Sequence, residues 1–208
     1  MNAETPGASP PQQVDPAELS VRAYRDLVEA DPGAHLPDLA LSLYALSSRL
    51  AALGRHAESL AAAEEARAIS RRVDDPETLA RTLTALGARL AEVGRGDEAV
   101  AAAAEAVDIQ RKLAPEDTWW APLAGVLWGY ALVCVKAGKP SAHALATVEE
   151  AIAIYDKAAQ RNRRAFTGLY GGELTAACSV RADLLEALGR TKEAVKLRRK
   201  LGRRRFRP

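Results

Sequence analysis

The side chains able to do chemistry are few and scattered. His35, His56 and His143 stand apart in turns or at helix starts, with no carboxylate or cysteine at metal-ligand or acid–base spacing. Gly138-Lys139-Pro140-Ser141 resembles a phosphate loop only faintly: Val133 stands where the first glycine belongs, and Pro140 splits the Lys–Ser pair. Cys134 and Cys178 are too few and too far apart for a disulfide framework or a zinc motif. Both fall on an apolar stripe, where a thiol acts as a small buried group in a reducing compartment. Glu64-Glu65 and Glu149-Glu150 sit in alanine-rich amphipathic stretches and read as solvated faces. No nucleophile, base and orienting group converge. The sequence thus predicts a chain that is not an enzyme, with no metal and no cofactor.

Two other groupings could carry recognition. Trp119, Trp120 and Trp128 cluster in a chain that is only 5% aromatic, either as a binding hot spot or as filling for a wide gap between repeats. Lys192, Lys196, Arg199 and Arg203 recur at three- and four-residue spacing, a positive stripe on one helix that could meet nucleic acid or an acidic surface. Cations near a helix C-terminus are also favourable through the dipole alone, and Phe206 offers no stacking platform. Residues 196–208 hold eight of the 29 Lys and Arg and no acid, leaving 21 basic against 27 acidic residues in the rest. The body is mildly acidic and the tail strongly basic.

The elements that must position these residues are helical. Of the 208 residues, 48% are hydrophobic, mostly Ala and Leu, which favour helix, while strand-forming residues are sparse. No window approaches the roughly 18 apolar residues of a membrane span, and the first residues lack the basic and apolar regions of a signal peptide. A cytoplasmic protein with no membrane contact is expected. Residues 1–15, rich in Pro, Ser and Gln, are expected to be disordered. A lone helix over 16–30 should stop at Asp31-Pro32-Gly33.

From there the chain repeats. RLAALGRHAESLAAAEEARAI, residues 49–69, returns as RLAEVGRGDEAVAAAAEAVDI, residues 89–109, with twelve of 21 positions identical. Gly54, Gly94, Gly138 and Gly189 mark four units, spaced 40, 44 and 51 residues apart. Before each glycine runs an i, i+3, i+7, i+10 stripe, such as Leu43, Leu46, Leu50 and Leu53, then Leu83, Leu86, Leu90 and Val93. The third unit gives Leu127, Tyr130, Cys134 and Ala137, and the fourth Cys178, Arg181, Leu185 and Leu188. A second helix follows each glycine, with Leu60, Ala63, Ala66 and Ile69, then Val100, Ala103, Ala106 and Ile109. Unit three continues the series one residue late, as Leu145, Val148, Ala151 and Ile154. The alanines allow close antiparallel pairs. Asp75-Pro76-Glu77 reads as a helix start, and Asp117 or Thr118 as a similar cap. TGLYGGEL, residues 167–174, should interrupt the approach to unit four. Val195, Arg198, Leu201 and Arg204 give the last helix a polar edge suited to ending the array.

The small-Leu-Gly turn, the helix-pair unit, and Ala99 and Ala106 at five and twelve residues after Gly94 make residues 38–201 resemble the tetratricopeptide repeat family. The long period is similar to the variant of kinesin light chains and actinobacterial regulators. The resemblance implies an all-α, right-handed α-α superhelix of about four helix pairs with one extra N-terminal helix. The expected pairs run over about 38–73, 77–113, 117–160 and 168–204, with a basic tail at 202–208.

It also implies a concave wall built from the first helix of each pair, accepting a partner peptide or helix. Carried onto this register, the wall includes Tyr44, Ser48, Arg81, Thr84, Trp128 and Lys136, with Glu92, Ser179, Asp183 and Glu186 farther along. The family's carboxylate clamp is not reproduced, since the matching positions are Ser48, Ala88, Leu132 and Asp183. The expected function is therefore that of an adaptor or regulatory subunit binding another protein. A nucleic-acid regulator using the basic helix, and a sensor segment cooperating with a signalling NTPase or peptidase, are the alternatives.

Overall fold

The computed structural model describes residues 15–113 and 120–205, without the side chains of residues 120 and 203–205. The expectations for the Pro-rich start, for Asp117, Thr118 and Trp119, for the side chains of Trp120, Arg203 and Arg204, and for Phe206 lie outside the described residues.

Among the described residues the chain forms helices α1 (Pro16–Ala30), α2 (Pro32–Ala52), α3 (His56–Ser70), α4 (Pro76–Glu92), α5 (Gly96–Leu113), α6 (Trp120–Lys136), α7 (Ala142–Arg161), α8 (Arg163–Ala187) and α9 (Thr191–Arg205). Each packs on its neighbours in sequence, and α2, α4, α6 and α8 also pack on one another in order. These four make the inner layer of a right-handed superhelical stack.

The four marker glycines close the pairs. Gly54, Gly94, Gly138 and Gly189 have φ of 74°, 82°, 66° and 78°, which an L side chain rarely adopts. Each lets the next amide fold back: Arg55, Arg95, Lys139 and Arg190 donate to the carbonyls of Leu50, Leu90, Cys134 and Leu185 at 2.8–2.9 Å. This Schellman closure satisfies carbonyls that a bare helix end would orphan.

Two of these arginines, Arg55 and Arg95, then tie one helix pair to the preceding outer helix, while Arg190 bridges Glu193 on its own helix at 2.7 Å. Arg55 reaches Glu58 on its own helix at 2.7 Å and Glu18 on α1 at 3.1 Å. Arg95 repeats this with Glu98 at 2.6 Å and Glu64 on α3 at 3.1 Å. A second ladder, Arg25–Glu65, Arg71–Glu105 and Arg111–Glu150, links α1, α3, α5 and α7 at 2.7–2.9 Å. Helix α1 thus stands toward α3 as α3 stands toward α5, in the outer layer. Glu64, Glu65 and Glu150, read as solvated faces, are exposed or half-buried members of these ladders, and Glu149 accepts from Arg181 at 2.8 Å. Their repeat partners lie 31–40 residues away, beyond the reach of i, i+4 reasoning.

The core follows the stripes with instructive departures. Leu43, Leu50, Leu83, Leu86, Leu90, Leu127, Cys134 and Leu185 are buried. Leu53, Val93 and Leu188 are instead exposed, because at the C-cap the backbone has already left helical geometry and swings them off the stripe. On the second helices the fully buried column is Ser59, Ala99, Ala144 and Ala194, one residue before Leu60, Val100, Leu145 and Val195. Ser59 belongs there because its hydroxyl donates to the Ser47 carbonyl at 2.7 Å. At Gly87 a Cβ would stand 2.9 Å from the Ala99 carbonyl oxygen, so α4 and α5 touch backbone to backbone.

Two helix bounds differ from expectation. α2 begins at Pro32, not 38, because the Asp31 carboxylate accepts the Ala34 amide at 3.2 Å and caps the helix; Pro37 is carried one turn inside. TGLYGGEL does not interrupt α8, which runs unbroken for 25 residues. Phe166 anchors that stretch in a cluster with Tyr155 and Ala124, which outweighs the glycines' poor helix propensity.

Candidate partner-binding groove

Across the inner layer lies a cavity of about 490 Å³, walled by α2, α4, α6 and α8 and reached by one residue of α5. Five of the six groove residues expected from the sequence line it: Tyr44, Ser48, Arg81, Thr84 and Trp128. Successive pairs bring them together because the same turn of each inner helix faces inward, whatever the sequence separation.

Tyr44 and Arg81 meet across α2 and α4, the guanidinium carbon 5.7 Å from the ring centroid. That distance is within cation–π range. Ser48 is exposed one turn on and donates to the Tyr44 carbonyl at 3.2 Å. Thr84 spends its proton on the Ala80 carbonyl at 2.8 Å and so offers its oxygen as an acceptor. Gly129 of α6 sits over Thr84, where a Cβ would lie 2.8 Å from its methyl carbon; only glycine lets α6 approach α4 so closely.

Trp128 is half-buried, packed against the main core and against the cluster of Ala124, Tyr155 and Phe166. It therefore both lines the cavity and supports it. Beneath it Tyr155, Phe166 and Tyr170 form a ring cluster with centroids 5.9–6.5 Å apart. The Tyr155 hydroxyl donates to Glu173, and burial first, then that carboxylate, pushes its pKa up.

Lys136 does not line the cavity. It lies at the C-terminal end of α6, where its ammonium donates to Glu92 of α4 at 2.8 Å. A register rule places it on the inner face but does not say how far along the helix the cavity extends. Glu92 also meets Arg89 at 3.2 Å, so that end of the wall is occupied by its own charges.

The cavity also contains residues that the inner-helix register missed: Glu77, Arg89, Gln110, Tyr170 and Glu173. Gln110 comes from α5, an outer helix, and is fully buried. Its signal in the sequence is a polar residue seven positions after Ala103 on the face of Ala103 and Ala106, which the stripe of Val100, Ala103, Ala106 and Ile109 passes over.

The basic stripe is separate from this wall. Lys192, Lys196 and Arg199 are exposed on α9, whereas Arg198 bridges to Asp183 at 2.8 Å and Glu186 at 2.5 Å. Asp183 and Glu186, expected on the groove wall, are thus held by the last helix. His56 Nδ1 lies 3.7 Å from Glu92, and His143 meets Tyr130 edge-on at 5.6 Å. Among the described residues no group of three or more His, Cys, Asp or Glu could hold a metal ion, and no helix is long and apolar enough to cross a membrane.

Comparison with known proteins agrees with this geometry. The tetratricopeptide repeat family model matches residues 38–112. No curated protein matches the chain. Among solved structures, two crystal structures of a Podosopora anserina protein assigned as a kinesin light chain, with nearly identical TPR-like repeats, are similar. A substituted form superposes with a TM-score of 0.61 at 18% identity, covering 89% of this chain and 84% of that one. The other gives a TM-score of 0.55 at 17% identity, covering 92% and 90%. BtubC (BKLC) from P. vanneervenii gives 0.51 at 17% identity, covering 92% and 91%. At these identities the likeness is one of fold.

Proposed function

We propose, from the premise that residues 38–112 are tetratricopeptide repeats, that this chain is a non-catalytic adaptor or regulatory subunit holding a partner segment in its inner groove. Repeats of this family generally mediate protein–protein interaction and are typically non-catalytic scaffolds. The observation that carries the reading is the convergence of Tyr44, Ser48, Arg81, Thr84 and Trp128 on one cavity. Its volume lies in the range of roughly 300–1,000 Å³ typical of ligand pockets, and its walls mix aromatic rings with a few polar groups.

The chemistry suits an extended peptide or a helix with one anchoring side chain. Aromatic and arginine side chains are the residues most often found at binding hot spots. Arg81 makes no ion pair within 4 Å among the described residues, and it lines the cavity stacked on Tyr44. The rigid repeat stack holds this wall in place, so little ordering is required on binding.

Capture of partners from the source cells' lysate tests the reading, with wild type, a Tyr44→Ala/Arg81→Ala variant, and a Lys192→Ala/Lys196→Ala/Arg199→Ala variant. A protein held by wild type and the third variant but lost from the second, with or without nuclease, is the expected result. Retention by the Tyr44/Arg81 variant, or loss on nuclease treatment, would move the function off the groove.

A further inference from the structure

We infer that α1 is a self-association surface: its exposed face pairs antiparallel, about a two-fold axis, with α1 of a second copy of this chain. The inference is independent of the groove, to which α1 contributes no residue.

Leu19 and Leu27 of α1 are 48% and 43% exposed. With Pro16, Ala23 and Ala30, also exposed, they stand at i, i+3, i+7, i+11 and i+14 and form one apolar strip along the whole helix. The opposite face, with Val21 buried and Tyr24 and Val28 half-buried, packs into the core shared with α2 and α3. Leu53, Val93 and Leu188, also exposed, are single C-cap residues and form no such strip.

The ion-pair ladder shows what this face replaces. Arg25, Arg71 and Arg111 hold the same place on successive rungs. Six residues before Arg71 and Arg111 stand Glu65 and Glu105, each paired with the arginine of the preceding outer helix. Among the described residues no outer helix precedes α1, and six residues before Arg25 stands Leu19. An open face of a repeat stack is ordinarily polar, as on α9, where Lys196, Arg199 and Lys200 are exposed. An exposed apolar strip in that place marks a surface for another protein molecule.

The strip is its own complement. Its spacings of 3, 4, 4 and 3 residues read the same in both directions about Ala23. Antiparallel pairing centred on Ala23 sets Leu19 against Leu27 of the second copy and Pro16 against its Ala30. The small Ala23 side chains let the two helices approach closely at the axis. Charges beside the strip fit the same register. Arg22 and Asp26 are exposed, lie on one flank, and make no ion pair within 4 Å among the described residues. Each Arg22 then stands two residues, about 3 Å along the helix axis, from Asp26 of the second copy. A two-fold interface needs this reciprocity, because every contact is made twice. Helix α9 cannot pair with itself in this way, since Lys192, Lys196, Arg199 and Lys200 would set cations against cations.

One face of a 15-residue helix buries less than the roughly 800 Å² per partner of a standard interface, so the dimer is weak, with a dissociation constant of about 10–100 µM. Sedimentation equilibrium of the full chain from about 5 to about 500 µM tests this, and wild type should pass from monomer to dimer over that range. Leu19→Glu/Leu27→Glu should stay monomeric throughout, with a melting temperature close to wild type because both side chains are exposed. Arg22→Asp and Asp26→Arg should each dimerise about tenfold more weakly, and their equimolar mixture should recover wild-type affinity. Under mild oxidation Ala23→Cys should form a disulfide-linked dimer, whereas Leu19→Cys should crosslink only when mixed with Leu27→Cys. A monomer at every concentration, or a dimer indifferent to the double leucine variant, would overturn the inference. So would crosslinking of Ala23→Cys to Lys196→Cys in place of itself, which would join copies head to tail.

Discussion

The Arg81 guanidinium lies 5.7 Å above the Tyr44 ring and so joins α4 to α2 across the floor of the inner groove. Neither residue belongs to the buried core, and Arg81 is exposed. They therefore allow binding to be perturbed apart from folding.

Tyr44→Ala and Arg81→Ala should each weaken partner binding by about 1–2 kcal/mol, the scale of a groove contact with an aromatic or arginine anchor. The melting temperature should stay within a few degrees of wild type. Calorimetric titration and thermal denaturation on the same preparations check this. Unchanged affinity in both variants would remove these residues from the interface.

Trp128→Ala should behave differently. Because the indole packs on the core and on the Tyr155 cluster, truncation should lower stability as well as binding, by up to the roughly 3–5 kcal/mol typical of buried aromatic-to-alanine changes. Denaturant unfolding reads the loss. A full-strength melting transition would mean that the ring is not part of the support.

Gly94→Ala should cost about 1–2 kcal/mol because φ of 82° forces the new side chain into the left-handed region, although no atom crowds it. Gly87→Leu should cost more, since backbone and the Ala103 methyl already stand within 3.5 Å of an added Cβ. The two losses separate conformational strain from overpacking. Equal, negligible effects would contradict both accounts.

Acid should loosen the ion-pair ladders within a defined window. Arg55, Arg95 and Arg190 donate to Glu58, Glu98 and Glu193 and hold those carboxyls below their ordinary value of 4.5. Their folded pKa values are depressed, so their contribution is present above the unfolded pKa and is lost as pH falls through the lowered folded values. Stability should be flat from neutral pH down to about 5 and decline below about 4.5, less steeply at high salt. A decline beginning near pH 6 would implicate histidine instead.

The sequence carried the architecture because each rule it used is local. A glycine after a leucine stripe specifies a left-handed C-cap, and the four glycines at 54, 94, 138 and 189 adopt it. On the first helices the stripe predicted most of the buried leucines and failed at the C-cap residues, where periodicity ends before the helix signal does; on the second helices the fully buried column lies one residue earlier than the stripe. Five groove positions were legible because a repeat register converts sequence distance into a shared face. Lys136 was not, since its partner Glu92 lies 44 residues away on another helix. Gln110 escaped notice because it sits on the packing face of an outer helix and not on the inner wall. The glutamate ladders likewise exist only between repeats.

The most direct measurement is site-specific photo-crosslinking in source cells, with a benzophenone side chain placed in turn at Thr84 on the groove floor, at Glu105 on the outer ladder and at Lys196 on α9. The account predicts that Thr84 yields a discrete crosslinked protein whose attached segment is short and defined, while Glu105 and Lys196 do not yield it. The same partner crosslinked from Glu105 or Lys196, with none from Thr84, would contradict the groove as the binding surface.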